Sequence, residues 1–342
     1  MSVQLVVPGL FDLPLEELEP GFTEKMPALN RILRLATAVA NRAYAVDEIV
    51  GDAIGLPSAG VGLPVARAFA GDSANPDRLI LAEAIHLRAD MHNAIAIPVP
   101  SDPENREDIE TLMQDMADLF RQDFELEPVG EGRYLMSLQA FEPPAHYVHP
   151  LSVLGKNVSR FVEQSRQVLP WYKLLNELQM FLHQHPVNQR RLQTGRLPVN
   201  SLWTWGAGTA LTPISGLEWY GEDAVFDRFA QSLELGVGSL DAFAARAGGV
   251  SAVVLDLRLL EWLKAGLDAS LEDLLADLES RLFAPAMRQV AEHNTSVRLR
   301  AGFAFDFELA PIARLKFWRR SSSLSSWRQA GIELPDAVTE HG

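Results

Sequence analysis

Val3 to Val7 is a short β-rich run closed by Pro8-Gly9, the pattern of a buried strand that ends in a turn. Leu10 to Thr23 is acidic and rich in turn formers. From Pro27 to Tyr44 apolar positions recur at helical spacing (Leu29, Ile32, Leu33, Leu35, Ala36, Val39, Ala40), with Pro27 suited to a first turn. A shorter helix is expected over Asp47 to Ile54, a loop over Gly55 to Gly62, and a small-residue helix over Leu63 to Phe69. Leu79 to Leu87 and Ala94 to Val99 are apolar runs of strand length, and Pro98, Pro100 and Pro103 end the second. Ile109, Leu112, Met113, Met116, Leu119 and Phe120 make Glu104 to Arg121 an amphipathic helix. Phe124 to Glu127 and Arg133 to Leu138 flank a Pro/Gly segment and read as a hairpin.

Arg160 to His185 is the longest helical stretch, with a break expected at Pro170. Trp171, Leu174, Leu175, Leu178, Phe181, Leu182 and His185 fall on one stripe, and Asn176, Gln179, Met180 and His183 fall opposite. Pro186 ends it, and Asn188 to Pro198 follows as a basic connection. Asn200 to Trp205 reads as a strand that turns at Gly206-Ala207-Gly208. Beyond it, Asp223 to Leu233, Leu240 to Ala247 and Ser270 to Ala291 are helical in pattern. Ser251 to Leu255, Thr295 to Leu299 and Gly302 to Leu309 are strand-like, the last two suited to pair. Ala310 to Trp318 suggests a short basic helix, and Ser321 to Gly342 a poorly ordered tail. Strands alternating with helices of this length predict an α/β fold with a central mixed sheet and helices on both faces. With no clear linker, residues 1–320 are expected to form one composite domain, carrying an inserted hairpin and helix region over about 79–158.

Composition narrows the chemistry. The 342 residues include no cysteine, which removes disulfides, thiolate nucleophiles and thiolate metal sites. A formal charge of −15 argues against nucleic acid as a partner. No apolar run reaches the roughly 18 residues of a membrane span, and the N-terminus lacks the basic start of a signal peptide. A cytoplasmic location is the simplest expectation.

The densest polar chemistry lies between Leu174 and Gly208. Asn176, Gln179, His183, Asn188, Arg191 and Asn200, together with Arg190 and Arg196, could hold a small phosphorylated or carboxylated metabolite, because arginine forks bind such groups bidentately. Read as structure alone, the same residues are a solvated helix face and surface charges. Trp203 and Trp205 share one side of a strand, a spacing that usually means core packing, and they join the candidate ligand residues together with Gly206 and Gly208, which could let backbone approach a ligand. Neither phosphate-loop motif is present, nor a nucleophile elbow. His183 and His185 point to different sides of a helix, His146 and His149 have no acidic neighbour, and His86 and His92 flank Asp90 without completing a metal motif. No metal site and no catalytic residue can be assigned, and a protein partner is compatible with the basic segment Arg314 to Arg328.

Several segments resemble the RpfE-type bacterial regulatory proteins: His86-Leu87-Arg88-Ala89-Asp90, Leu175 to Met180, His185 to Asn188 with Arg191, Pro198 to Trp203, and Trp205 to Gly208. These are described as relatives of the archaeal-type cofactor-independent phosphoglycerate mutases, which have an alkaline-phosphatase-like fold. The resemblance implies two metal ions, manganese or another divalent cation, and a serine that becomes phosphorylated. This chain departs from that pattern, with Pro8-Gly9-Leu10 after its first strand and Asp256-Leu257-Arg258 without a nearby His. Ser58 is the single candidate for a vestigial nucleophile. The expectation is therefore a mutase-like protein that is catalytically silent and binds or regulates through a small anionic metabolite, with an active metal-dependent mutase or phosphatase as the alternative.

Overall fold

The computed structural model describes residues 1–312 and 324, apart from 15–17, 19, 20, 42–44, 57–61, 72–74, 91, 92, 101, 131, 145, 146, 163–165, 210 and 303. The expected terminal helix beyond Ile312, the tail beyond Ser321 (Leu324 excepted), Ser58, His92, His146 and His341 lie outside the described residues.

The strands are β1 (Ser2–Val6), β2 (Thr37–Ala40), β3 (Leu79–Asp90), β4 (Asn93–Pro98), β5 (Phe124–Gly130), β6 (Arg133–Leu138), β7 (Ser201–Trp205), β8 (Leu217–Tyr220), β9 (Gly236–Gly238), β10 (Ser251–Leu255), β11 (Ser296–Arg300) and β12 (Phe305–Leu309). A central sheet runs in the order β2-β12-β11-β1-β10-β8-β9. β1 lies parallel to both β10 and β11, β8 is parallel to β10 and β9, and β12 returns antiparallel against β11 and β2. The central sheet is thus mixed, as the alternation of elements predicts.

Side-chain alternation along the middle strands feeds two cores. Val3, Leu5, Ala252 and Val254 enter one, together with helices α1 (Pro27–Leu35), α7 (Leu240–Ala245), α9 (Leu271–Leu278) and α10 (Ala284–His293). Val6, Val253 and Leu255 enter the other, with α2 (Val46–Ala53) and α6 (Ala224–Ser232). Helices therefore cover both faces. The second core continues into a smaller antiparallel sheet, β4-β3-β6-β5, with α3 (Pro103–Leu119), α4 (Leu169–Gln184) and α5 (Pro186–Gln193) packed around it. β3 is its spine: Leu81–Glu83 pair with β6 on one edge and with β7 on the other.

The structure corrects the sequence reading at four places. Thr37–Ala40 is an edge strand, although its small apolar residues continue the spacing of α1; pairing with β12 decides its state. Pro170 stands in the first turn of α4 and so begins that helix where a break within a longer one was expected. The basic stretch after Pro186 is helical, with His185 Nδ1 accepting from the Val187 N–H at its start. Between α9 and α10 the ladder widens to a π-turn at Glu279–Phe283, because Pro285 has no N–H to give Arg281. The short strands β8 and β9 and the helix α8 (Arg258–Ala265) went unread in the sequence.

Candidate ligand site

The polar residues of 176–208 divide into three groups. Asn188, Arg191 and Asn200 knit α3, α4, α5 and β7 together. Asn188 donates through Nδ2 to the carbonyls of Leu182 and Val199, both at 2.7 Å, and accepts from the Val199 N–H at 2.9 Å. Asn200 acts as a backbone surrogate: its Oδ1 accepts from the Leu87 N–H at 2.7 Å and its Nδ2 donates to the Leu87 carbonyl at 2.9 Å. Arg191, with 1% of its side chain exposed, donates to the Leu197 carbonyl and to Asp108 Oδ2 at 2.7 Å. Arg190 reaches Asp108 Oδ1 at 2.5 Å, and Arg196 reaches Asp108 and Glu104. Burial alone would raise the Asp108 carboxyl, and the bonds from Arg191 and Arg190 hold it below the usual range. The carboxylate that these arginine forks bind is the chain's own.

The second group belongs to the core. Trp203 Nε1 donates to the Val148 carbonyl, Trp205 Nε1 donates to Glu83 Oε1, and Gln179 Nε2 donates to Ser201 Oγ. Gly206 has φ +77°, and a Cβ there would stand 2.5 Å from Val65 Cγ2. Gly208 has φ +148° and backs against Pro64. These glycines admit the chain's own 64–66 segment. The third group, Asn176 and His183, is exposed on α4.

A different cluster forms where the smaller sheet meets the central one. Arg133, at the start of β6, donates to Asp223 Oδ2 at 2.6 Å and lies 3.4 Å from Glu83 Oε1 and 4.0 Å from Glu261 Oε1. Burial works against the Arg133 charge, and the carboxylates of Asp223 and Glu83 outweigh it. Asp223 follows β8 and caps α6 through the Val225 and Phe226 N–H groups. Burial opposes its ionisation, but Arg133 and the cap hold its carboxyl low. Glu83 differs: burial pushes it up to about 7, even with Arg133 and Trp205 beside it. His149 is fully buried, edge-on to Trp205 with ring centroids 4.4 Å apart, and burial pushes it down to about 3. Its Nδ1 accepts from the Leu151 N–H, so the neutral ring carries its proton on Nε2, which has no hydrogen-bond partner among the described residues. Asp47 links α2 to this region by accepting from the Leu63 and His149 N–H groups, and burial raises its carboxyl to about 6.

Glu83 also borders a cavity of about 530 Å³ between the smaller sheet, α3 and the 150–154 turn. Its wall is mostly apolar, from Ile85, Met113, Leu126 and Leu151, with the Tyr134 ring beside them. Burial and then the Glu110 charge push the Tyr134 phenol up. This volume lies within the range of small-molecule sites. Glu83, Arg133, Asp223 and Glu261 were not among the residues singled out as a site, being lone charges in four separate segments, and His149 was weighed only as a metal ligand beside His146. The one available signal was Glu83 itself, a carboxylate inside the apolar run Leu79 to Leu87.

The carboxylates at the carboxyl ends of the parallel strands test whether a metal pair fits. Asp256, after β10, receives Arg258 Nη2 at 2.5 Å and Nε at 3.0–3.1 Å. Asp306, beside the end of β11, receives Arg298 and Arg300, both at 2.9 Å, and Asn41 at 2.8 Å. Asp223 receives Arg133. Among the described residues no three His, Asp or Glu side chains converge as metal ligands. This donor set does not fit two divalent cations, since guanidinium groups already face its oxygens.

No protein-family model matches the chain. The chain is 30% identical over 121 residues to a probable 2,3-bisphosphoglycerate-independent phosphoglycerate mutase of Geobacter sulfurreducens, covering 35% of this chain and 30% of that protein. A 2,3-bisphosphoglycerate-independent phosphoglycerate mutase of Methanosarcina barkeri is 33% identical over 70 residues, 20% of this chain and 18% of its own length. The chain thus matches less than a third of the length of either relative. Its fold is like that of the PH0037 protein from Pyrococcus horikoshii, with a TM-score of 0.50 at 13% identity over 90% of this chain and 87% of that one. Over part of its length, then, this chain is similar to the 2,3-bisphosphoglycerate-independent phosphoglycerate mutases.

Proposed function

We propose that the chain is a catalytically silent, phosphoglycerate-mutase-like protein that serves as a binding or regulatory protein for a small molecule. One observation carries this reading: Asp223, Asp256 and Asp306, at or beside the parallel-strand ends, are each held by an arginine. A guanidinium neutralises a carboxylate, but it has no open coordination position to activate a serine or to bind both oxygens of a transferring phosphoryl group. The resemblance to RpfE-type regulatory proteins and the partial mutase likeness support the same reading. The absence of cysteine and the acidic surface fit a cytoplasmic location. Among the described residues no helix is long and apolar enough to cross a membrane. A phosphorylated or carboxylated metabolite at Arg190, Arg191 and Asn200 would have to displace Asp108 from the two arginines and Leu87 from the amide.

The experiment is a phosphoglycerate mutase and phosphatase assay with manganese, cobalt or zinc added, combined with metal analysis of the purified protein. The expected result is no turnover and no stoichiometric divalent metal. Robust turnover that disappears in Asp256→Ala would establish the active alternative and overturn this reading.

A further inference from the structure

The 530 Å³ cavity has polar groups on α3 and, opposite, Glu83, and the charge behind Glu83 is unbalanced. Glu83 Oε1 is occupied by Trp205 Nε1 at 3.0 Å and lies 3.4 Å from Arg133 Nε. Oε2 has no partner among the described residues, and the side chain keeps 21% exposure where it borders the cavity. Behind it the Arg133 guanidinium is shared by Asp223, Glu83 and Glu261, while Arg258, which also acts on Glu261, is itself paired with Asp256 and Asp277. His149 adds no charge near neutral pH, because burial holds its pKa far below 7. With all three carboxylates ionised the group carries an excess of two negative charges. Glu110 and Arg106, one helical turn apart on α3, both line the cavity and are both exposed, so their opposite charges offset one another and leave the surplus at Glu83. A neutral or anionic guest would leave the surplus uncompensated, whereas a guest with an ammonium group would supply the missing cation next to Oε2. The rest of the wall asks for hydrocarbon.

We propose that this cavity binds a small organic amine, its ammonium group donating to Glu83 Oε2 and its apolar body lying against Ile85, Met113, Leu126 and Leu151. The inference deepens the ligand-binding part of the reading above and does not depend on catalytic silence. An ammonium beside Oε2 favours the ionised carboxylate, so binding near neutral pH releases a proton from Glu83 to the buffer. The groups that face Glu83 and share in this titration are Arg133 from β6, Asp223 at the start of α6, Glu261 from α8, His149 and the Trp205 indole.

The test is calorimetric titration of the full chain at pH 6.5 with n-octylamine, 1-octanol and octanoate, three probes of one chain length, in two buffers of different ionisation heat. Octylamine is expected to bind at least tenfold more tightly than either other probe and to release protons. In Glu83→Gln the preference over octanol should fall below about threefold, and the proton release should vanish. Ala117→Trp, which fills the cavity from its less buried side, should abolish binding of all three while circular dichroism stays native. Equal affinity for octanoate, or octylamine binding that survives Ala117→Trp, would overturn the proposal even if Glu83→Gln failed to fold. Phosphoglycerate turnover would defeat the silent-enzyme reading and leave this preference intact, so the two failures are distinguishable.

Discussion

Two charged regions of this molecule are built from the same residue types and differ in balance. In the α3–α5 knot, Arg190, Arg191 and Arg196 meet Asp102, Glu104 and Asp108, three guanidiniums against three carboxylates. At the junction of the sheets, among the described residues, Arg133 is the one guanidinium within 4.0 Å of Asp223, Glu83 and Glu261. The first region has a carboxylate held below its usual range and amides whose donors end on backbone. The second has a carboxylate near 7, an unpartnered imidazole nitrogen and a cavity at its side. A balanced set of charges holds elements together, whereas an unbalanced set leaves something for a ligand to complete.

The largest expected effect tests the first half of that contrast. Arg191→Ala should cost about 3–5 kcal/mol in urea unfolding, because it strips the buried Asp108 of a full partner and leaves the Leu197 carbonyl unpaired. A loss under about 1 kcal/mol would show that the knot is ordinary surface charge. Asn200→Ala should cost about 1–3 kcal/mol by orphaning both backbone groups of Leu87, and a hydrogen-exchange rate at Leu87 equal to wild type would contradict the assigned role.

The junction is tested by pH. His149 has its pKa lowered from 6.5 to about 3, so its contribution is present above pH 6.5 and lost as pH falls towards 3. The slope approaches about 1.4 kcal/mol per unit. His149→Asn keeps an acceptor near the position of Nδ1 and should flatten that limb of the stability curve; an unchanged acid slope would place the sensitivity elsewhere. Glu83 acts in the opposite sense: with its pKa raised from 4.5 to about 7, its contribution is present below 4.5 and lost as pH rises through 7. Between 4.5 and 6.5 the two oppose one another, and Asp47 and Asp227, both raised to about 6, add to the side of Glu83, so the variants and not wild type separate the contributions. Glu83→Gln should remove the alkaline loss, up to about 1 kcal/mol between pH 5 and pH 8, the smallest of these effects. A steeper alkaline loss in the variant would reverse the assignment.

Much of the layer architecture was legible because it rests on local pattern. The apolar runs at Val3, Leu79, Ser251 and Thr295 became strands, and the stripe Leu174, Leu178, Leu182 became the buried face of α4. Thr37–Ala40 was misread because its spacing suits either state and β12 makes the choice. The site was legible only as polar density, and density marked the knot, where Asn188, Arg191 and Asn200 are close in sequence because α4, α5 and β7 must be tied together over few residues. Glu83, Arg133 and Glu261 share no local signal. Antiparallel register sets Glu83 opposite Arg133, and the crossing of the two sheets delivers Asp223 and Glu261.

The placement of β1 has a kinetic consequence. β1 lies in the middle of the central sheet, and its two neighbours begin far along the chain, at Ser251 and Ser296. Val3, Leu5 and Val6 are fully buried in the finished protein. On a ribosome they have no strand to pair with until most of the chain has emerged. Closing loops of that length gives the central sheet a high contact order and slow assembly, while the smaller sheet, apart from β7, can form from neighbours in sequence. The nascent chain therefore carries an unpaired apolar strand until β10 and β11 have emerged, and shielding by a chaperone is the natural remedy.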